Sequence, residues 1–147
     1  MTSSEQPLDP SLSATLDLFL EAVLSKKAQK PVVLDVRKQT TIADLFIIAS
    51  GSSHRQVSAM AENVQLILKK QKVKPLHIEG HKDGQWVLMD YGDVVIHLFY
   101  APVRQLYDLE SLWIDARRLE TERLQAYLAS AEDNPADEME GEDGDFY

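Results

Sequence analysis

A chain of 147 residues is long enough for one domain with a single core and too short for two ordinary ones. Apolar residues make up 44% and charged residues 27%, which is typical of a globular protein and excludes a fibrous or wholly disordered one. The net charge of −9 comes mostly from residues 131–147, which hold eight acidic residues and no lysine or arginine. The rest, with 16 acidic and 15 basic residues, is close to neutral.

Cysteine is missing from the sequence, so there is no disulfide framework, thiolate nucleophile or cysteine zinc site, which fits a reducing compartment. The longest apolar runs fall far below the roughly 20 residues of a spanning helix. Neither a signal nor a transit peptide is evident. We therefore expect a cytoplasmic protein with no membrane segment. Its residues 1–8 should form a loose leader, 9–130 one domain and 131–147 an acidic, disordered tail.

The first half of the chain predicts a helix, two strands and a second helix. Asp9 precedes a proline and is placed as an N-cap, and apolar residues then recur at spacings of three and four. Val32–Val36 and Leu45–Ala49 predict strands, and the second is apolar on both faces, as in a central strand. Ser53 and Gln56 are spaced as a capping box for a helix with one apolar stripe.

The second half predicts a three-stranded meander and a return to helix. The strands are 76–80, 85–90 and 94–100, and the first two are joined through Asp83-Gly84. Helical spacing resumes beyond Pro102 and extends towards Leu128, either as one long helix or as two with a fresh start at Asp108. A strand, helix and strand in succession imply at least one parallel pair. The order predicts an α/β fold, a mixed sheet of about five strands flanked by helices.

Gly51-Ser52 opens the second helix, as in turns that cradle phosphate. In nucleotidyltransferases the strand after such a helix carries aspartates that hold magnesium. Here the only carboxylate of that strand is Glu79. An ordinary capped turn therefore explains Gly51-Ser52 better than a catalytic site does. Asp90 and Asp93 flank a later turn. They either satisfy its amides or contribute to protein recognition, and two carboxylates alone make a poor cation site.

The spacing of the histidines does not predict a zinc site. His77, Glu79 and His81 alternate along a strand and His97 lies two strands further on, a spacing that arises easily by coincidence. His97 lies within an apolar strand, where a hydrogen-bonded sheet histidine is the simpler interpretation and contact with a partner the alternative. We expect no metal and no cofactor. Basic residues are dispersed without interleaved aromatics, which indicates little direct contact with nucleic acid.

Between Trp86 and Trp113 the sequence is dense in large amphipathic side chains next to acidic turns. An apolar centre with a charged rim is what a protein-binding patch needs. Alternation along the strand places Trp86, Leu88 and Asp90 on one face and Val87 and Met89 on the other. One of these two sets is therefore expected in the core.

The spacing WxxxDxGDxxxH, which starts at Trp86 and ends at His97, fixes rare residues at fixed distances, and the run YDLESLW follows from Tyr107. Together with DLFIIASGSSHRQV and HIEG, these motifs resemble the Iojap-type ribosomal silencing factor family. The resemblance runs from about Val32 to about Arg117. The first helix and the acidic tail lie outside it.

The resemblance implies a nucleotidyltransferase-like α-β-α fold without the catalytic carboxylates, and a protein that is not an enzyme. It also implies binding to the large ribosomal subunit through its protein fourteen, which blocks subunit joining and represses translation when nutrients are scarce. The alternatives are a metal-dependent nucleotidyltransferase and a general interaction scaffold, and a homodimer stays open. The residues that map onto the partner-binding surface are Trp86, Met89, Asp90, Tyr91, Asp93 and His97.

Overall fold

The computed structural model describes residues 7–132. Its helices and strands follow one another in the order α1 (Pro10–Leu24), β1 (Gln29–Asp35), β2 (Leu45–Gly51), α2 (His54–Lys70), β3 (His77–Glu79), β4 (Trp86–Asp90), β5 (Val94–Tyr100), α3 (Ala101–Tyr107), α4 (Leu109–Leu112), β6 (Arg117–Arg118) and α5 (Glu122–Glu132). None of the helices in this part of the chain is long and apolar enough to cross a membrane.

The strands form one sheet in the order β3-β4-β5-β2-β1-β6. β2 and β5 pair in parallel at its centre, and the neighbouring pairs are antiparallel. The predicted α/β fold with a mixed sheet is confirmed, and so is a parallel pair, although β2 pairs with β5 and not with the strand that directly follows α2. The sheet has six strands, not about five, because Arg117 and Arg118 pair with the end of β1.

Both predicted helix starts are confirmed, but the side-chain hydrogen bonds at the start of α2 differ from those of the predicted capping box. Asp9 accepts a hydrogen bond from the Leu12 amide at 2.7 Å, and Ser53 accepts one from the Gln56 amide at 3.0 Å. The reciprocal half of a capping box would return the Gln56 side chain to Ser53. Instead, Gln56 Oε1 accepts from the Ser52 amide at 2.6 Å. The helix is capped one residue earlier on that side.

The two faces of the sheet are covered unequally. Strand alternation sends one set of side chains, which includes Ile47, Met89 and Ile96, under α1 and α2, with α5 against α1; we call this the helical face. The opposite set, which includes Phe46, Leu88 and Phe99, is partly covered by α3, α4 and the residues that follow α4; we call this the open face. The long helices α1 and α2 cover β3 and β4 only from the helical face.

The C-terminal region differs from its predicted helical pattern. The break at Asp108 is confirmed, since this residue takes a left-handed φ of 48° between α3 and α4. A helix continuing to Leu128 is wrong, because the chain becomes extended at β6 before α5 begins. The apparent stripe was misleading since Leu106 and Leu112 are 79% and 76% exposed. α5 reaches Glu132, two residues into the predicted tail, and 133–147 and 1–6 lie outside the described residues.

Two glycines shape the loop between β3 and β4. Gly84 has a φ of +70°, in keeping with the predicted turn. Gly80 has a φ of +82°, and a Cβ atom there would lie 2.1 Å from the carbonyl oxygen of Trp86. The β3 end can approach the start of β4 this closely only because Gly80 lacks a side chain.

Candidate protein-binding site

Of the six residues predicted to bind a partner, two are available on the open face. Trp86 and Asp90 are half-buried there, with Leu88 between them in the same state. Asp93 is exposed on the turn that follows β4. Trp86, Asp90 and Asp93 therefore remain predicted partner contacts. We add Leu88 to them, because strand alternation places its side chain in the same row as Trp86 and Asp90.

Met89 and Tyr91 belong to the opposite side of the sheet. Met89 is fully buried beneath the helices, so its prediction as a contact residue is wrong for this fold. The Tyr91 ring meets Phe19 of α1 edge-on at 5.0 Å, and burial of its hydroxyl raises the pKa of Tyr91 to about 12. Both residues stabilise the packing of the helical face. A contiguous sequence motif was thus divided between two faces by the period of the strand.

His97 lies on the open face but underneath its surface, with 5% of its area exposed. Its Nδ1 accepts a hydrogen bond from the Trp86 indole Nε1 at 3.2 Å. The imidazole also meets the Phe46 ring edge-on at 4.9 Å. Burial lowers the pKa of His97 to about 4, because a charged imidazole would lose its hydration there. The hydrogen-bonded sheet histidine expected from the sequence is what the structure contains, and direct contact with a partner is not available to it.

Two aromatic rings pack against Trp86. Its indole stacks on Phe99 with ring centroids 4.9 Å apart and contacts Tyr107 of α3 at 5.1 Å. Tyr107 remains 56% exposed and forms a wall beside the exposed part of the indole. Tyr107 is one of the large amphipathic residues between Trp86 and Trp113 and starts the YDLESLW run, but it is not among the six predicted contacts. Its helical spacing gave no sign that it would meet a strand residue 21 positions earlier.

Acidic groups border this apolar area. Asp90 Oδ1 accepts from the Gly92 amide at 2.8 Å, so the prediction that Asp90 satisfies a turn amide is confirmed. Glu79 pairs across strands with Leu88 and therefore shares its face, and its carboxylate lies 2.6 Å from His77 Nε2. We define the docking surface as Glu79, Trp86, Leu88, Asp90, Asp93 and Tyr107.

The turn at Gly51-Ser52 lies far from the two aspartates. Leu45 pairs with Val94 and Gly51 with Tyr100, so the turn and Asp93 are at opposite ends of the parallel pair, about 20 Å apart at 3.3 Å per residue. The Ser52 amide and hydroxyl both bond to Gln56 Oε1. One phosphate group cannot reach both places, so the turn and the two aspartates do not form a single phosphate site. Among residues 7–132, no cluster of three or more potential ligands could hold a metal ion.

Arg104, one of the residues that carry the family resemblance, anchors the wall of the site, a position that its helical spacing in the sequence does not indicate. It is 9% exposed and donates from Nη1 to the Lys30 carbonyl at 2.8 Å and to Ser50 Oγ at 2.9 Å. Nε and Nη2 donate to the two carboxylate oxygens of Glu110 at 3.1 and 3.0 Å. One guanidinium thus ties α3 to the sheet and to α4, and so holds Tyr107 beside Trp86.

The buried His97 predicts that acid weakens the fold. Its folded pKa of about 4 lies below the value of about 6.5 in an unfolded chain, so between these pH values only the unfolded chain binds the proton. The contribution of His97 to the free energy of unfolding should be constant above about pH 6.5. Below that pH it should fall by about 1.4 kcal/mol per pH unit towards about pH 4. Urea denaturation at pH 7 and pH 5 measures the slope, and His97→Gln should lose most of it. Equal slopes in the two proteins would contradict this origin.

The comparisons with known proteins agree with these motifs. The family model described as "Ribosomal silencing factor during starvation" matches residues 9–145, a wider range than the expected 32–117. A ribosomal silencing factor of Halalkalibacterium halodurans is 40% identical over 107 residues, 73% of this chain and 92% of that protein. A mouse protein named mitochondrial assembly of ribosomal large subunit protein 1 is 31% identical over 67% of this chain and 44% of its own length.

A solved structure also shares the fold. A crystal structure of a protein from Chromobacterium violaceum superimposes with a TM-score of 0.67 at 38% identity, over 75% of this chain and 91% of that one. The family match spans well over half of the chain, and the superposition shows that the two structures share a fold. This chain therefore belongs to the ribosomal silencing factor family.

Proposed function

We propose that this protein binds the large ribosomal subunit on the face that meets the small subunit, keeps the two apart, and so represses translation when nutrients are scarce. Membership of the ribosomal silencing factor family supports a role at the ribosome. The name of the mouse relative connects that protein with the large subunit. The observation that carries the proposal is the docking surface, an apolar centre bordered by carboxylates on the open face.

The partner proposed on that subunit is ribosomal protein fourteen, in keeping with the resemblance in the sequence. A surface with Trp86 and Leu88 at its centre offers apolar contact, while Asp90, Glu79 and the exposed Asp93 give its border a negative charge. Such a border favours a positively charged partner. Carboxylates at a rim speed the encounter with a basic protein more than they tighten the final complex.

The mechanism is steric competition. A protein seated on the joining face occupies the surface that the small subunit needs, so free large subunits are withheld from assembly in the cytoplasm. No covalent step, metal ion or cofactor is part of this proposal. The gradual loss of joined ribosomes would follow from mass action, because each bound molecule removes one large subunit from the joining equilibrium.

A second copy of the chain is the other partner that an observation favours. Leu106, Leu112 and Ile114 are 79%, 76% and 77% exposed along α3, α4 and the residues after them. Large apolar side chains exposed near one another are typical of an interaction surface. Sedimentation velocity of the purified protein distinguishes a dimer from a monomer.

The proposed function is tested with purified subunits. The protein should move with large subunits in a sucrose gradient, and prior incubation with it should reduce the joined fraction when small subunits are added. Addition after joining should have a weaker effect, since the surface is then occupied. Movement with small subunits, or unchanged joining when the large subunit is saturated with protein, would overturn the proposal.

A further inference from the structure

The hydrogen bond between Trp86 and His97 connects the docking surface with the core. Leu88 is the direct cross-strand neighbour of His97, and Trp86 lies diagonally across on the same face. The indole Nε1 donates to Nδ1 over 3.2 Å. For Nδ1 to accept, the imidazole must be neutral with its proton on Nε2, and burial keeps it neutral near pH 7.

The other ring nitrogen of His97 gains little from its surroundings. Nε2 is buried and has no hydrogen-bond partner within residues 7–132, and the ring beside it is that of Phe46. A buried polar atom without a partner destabilises the fold, so an apolar side chain here would serve packing alone at least as well. The favourable polar contact of this imidazole is the one with Trp86. The gain is therefore the orientation of the indole.

We propose that His97 is a positioning residue that locks the Trp86 indole in one orientation before a partner arrives, and this inference rests on the proposed docking function. With Nε1–H engaged internally, the exposed part of the indole presents carbon atoms and no free donor. The partner that fits packs an aliphatic or cationic side chain against the ring and offers no hydrogen-bond acceptor to it. Because the orientation is fixed in the free protein, binding does not have to order the indole.

The test compares His97→Leu, which removes the acceptor, with His97→Gln, which retains a side-chain oxygen that can accept. In the full-length protein, the Trp86 indole N–H should exchange with solvent at least about tenfold faster in His97→Leu, and the Gln variant should restore part of the protection. Trp113, assigned with Trp113→Phe, is the internal reference. Affinity for purified large subunits should fall about tenfold in His97→Leu at neutral pH and recover in part in His97→Gln.

Several results would overturn the inference. It fails if indole exchange is unchanged in His97→Leu, or if the indole is freed while affinity stays at the wild-type value. Nitrogen shifts of the wild-type imidazole supply a measurement that needs no variant to fold, since a proton on Nδ1 would exclude the bond. If wild-type protein does not bind large subunits, the proposed function fails, and the exchange data still show separately whether His97 holds the indole.

Discussion

Leu88→Arg should lower the affinity for large ribosomal subunits by at least about a hundredfold. Leu88 lies at the centre of the docking surface, half-buried in a row with Trp86 and Asp90. The new guanidinium would project from the apolar centre and pair with Glu79 across the strand, which cancels part of the negative border. A basic partner would then lose an apolar contact and meet a positive charge. A binding titration against purified large subunits measures the change.

Leu66→Arg is the matched control for this variant. Leu66 is 56% exposed on α2, which packs on the helical face, so the same charge is added to the opposite side of the molecule. Affinity should then stay within about threefold of wild type, as expected for a substitution outside an interface. Both proteins should unfold cooperatively. Wild-type affinity in Leu88→Arg, or equal losses in the two variants, would show that binding does not use the open face.

Arg104→Met should reduce the free energy of unfolding by about 3 kcal/mol, because it breaks a largely buried ion pair and leaves Glu110 and Ser50 without their donor. For a domain of this size that corresponds to a fall in Tm of about 10 °C. Methionine keeps much of the aliphatic volume, so the loss measures the polar contacts. Chemical and thermal denaturation at pH 7 provide both quantities.

Arg118→Met is the comparison for the same carboxylate. Arg118 is 59% exposed, and its Nη2 lies 3.8 Å from Glu110 Oε2. An exposed pair of this kind contributes about 1 kcal/mol or less. Arg104→Met should also speed the exchange of amides in α3, since Tyr107 and its neighbours lose their tie to the sheet. A similar small loss for both arginines would refute the anchoring role of Arg104.

Local chemistry was readable from the sequence wherever neighbours along the chain decide the structure. The Asp9 cap, the Ser53 cap and the central position of β2 all follow from side chains within a few residues. The fixed spacing from Trp86 to His97 likewise pointed to the family, because it does not depend on how the strands are arranged. The hydrogen bond of Asp90 to a turn amide was also predicted correctly, because that amide is only two residues away.

Features set by distant parts of the chain were not readable in this way. β6 exists because two arginines meet the end of β1 some 80 positions earlier, and two residues are too few to show an alternating pattern. Arg104 meets Lys30 and Ser50 through tertiary packing alone. The docking prediction included Met89 and Tyr91 because the motif is continuous in sequence. Which face is covered depends on where α1 and α2 pack, and this separated them from Trp86.

The two borders of the sheet have a consequence for how any partner is recognised. β3 has three residues and β6 has two, so these outermost strands themselves offer very few backbone groups to a further strand. Such short outer strands discourage the lateral addition of a foreign strand and the aggregation that can follow from it. A partner that extended either outermost strand would therefore gain few main-chain hydrogen bonds, which are indifferent to sequence. Recognition by side chains on the broad open face depends on their identity, so each substitution there changes the affinity for the partner separately.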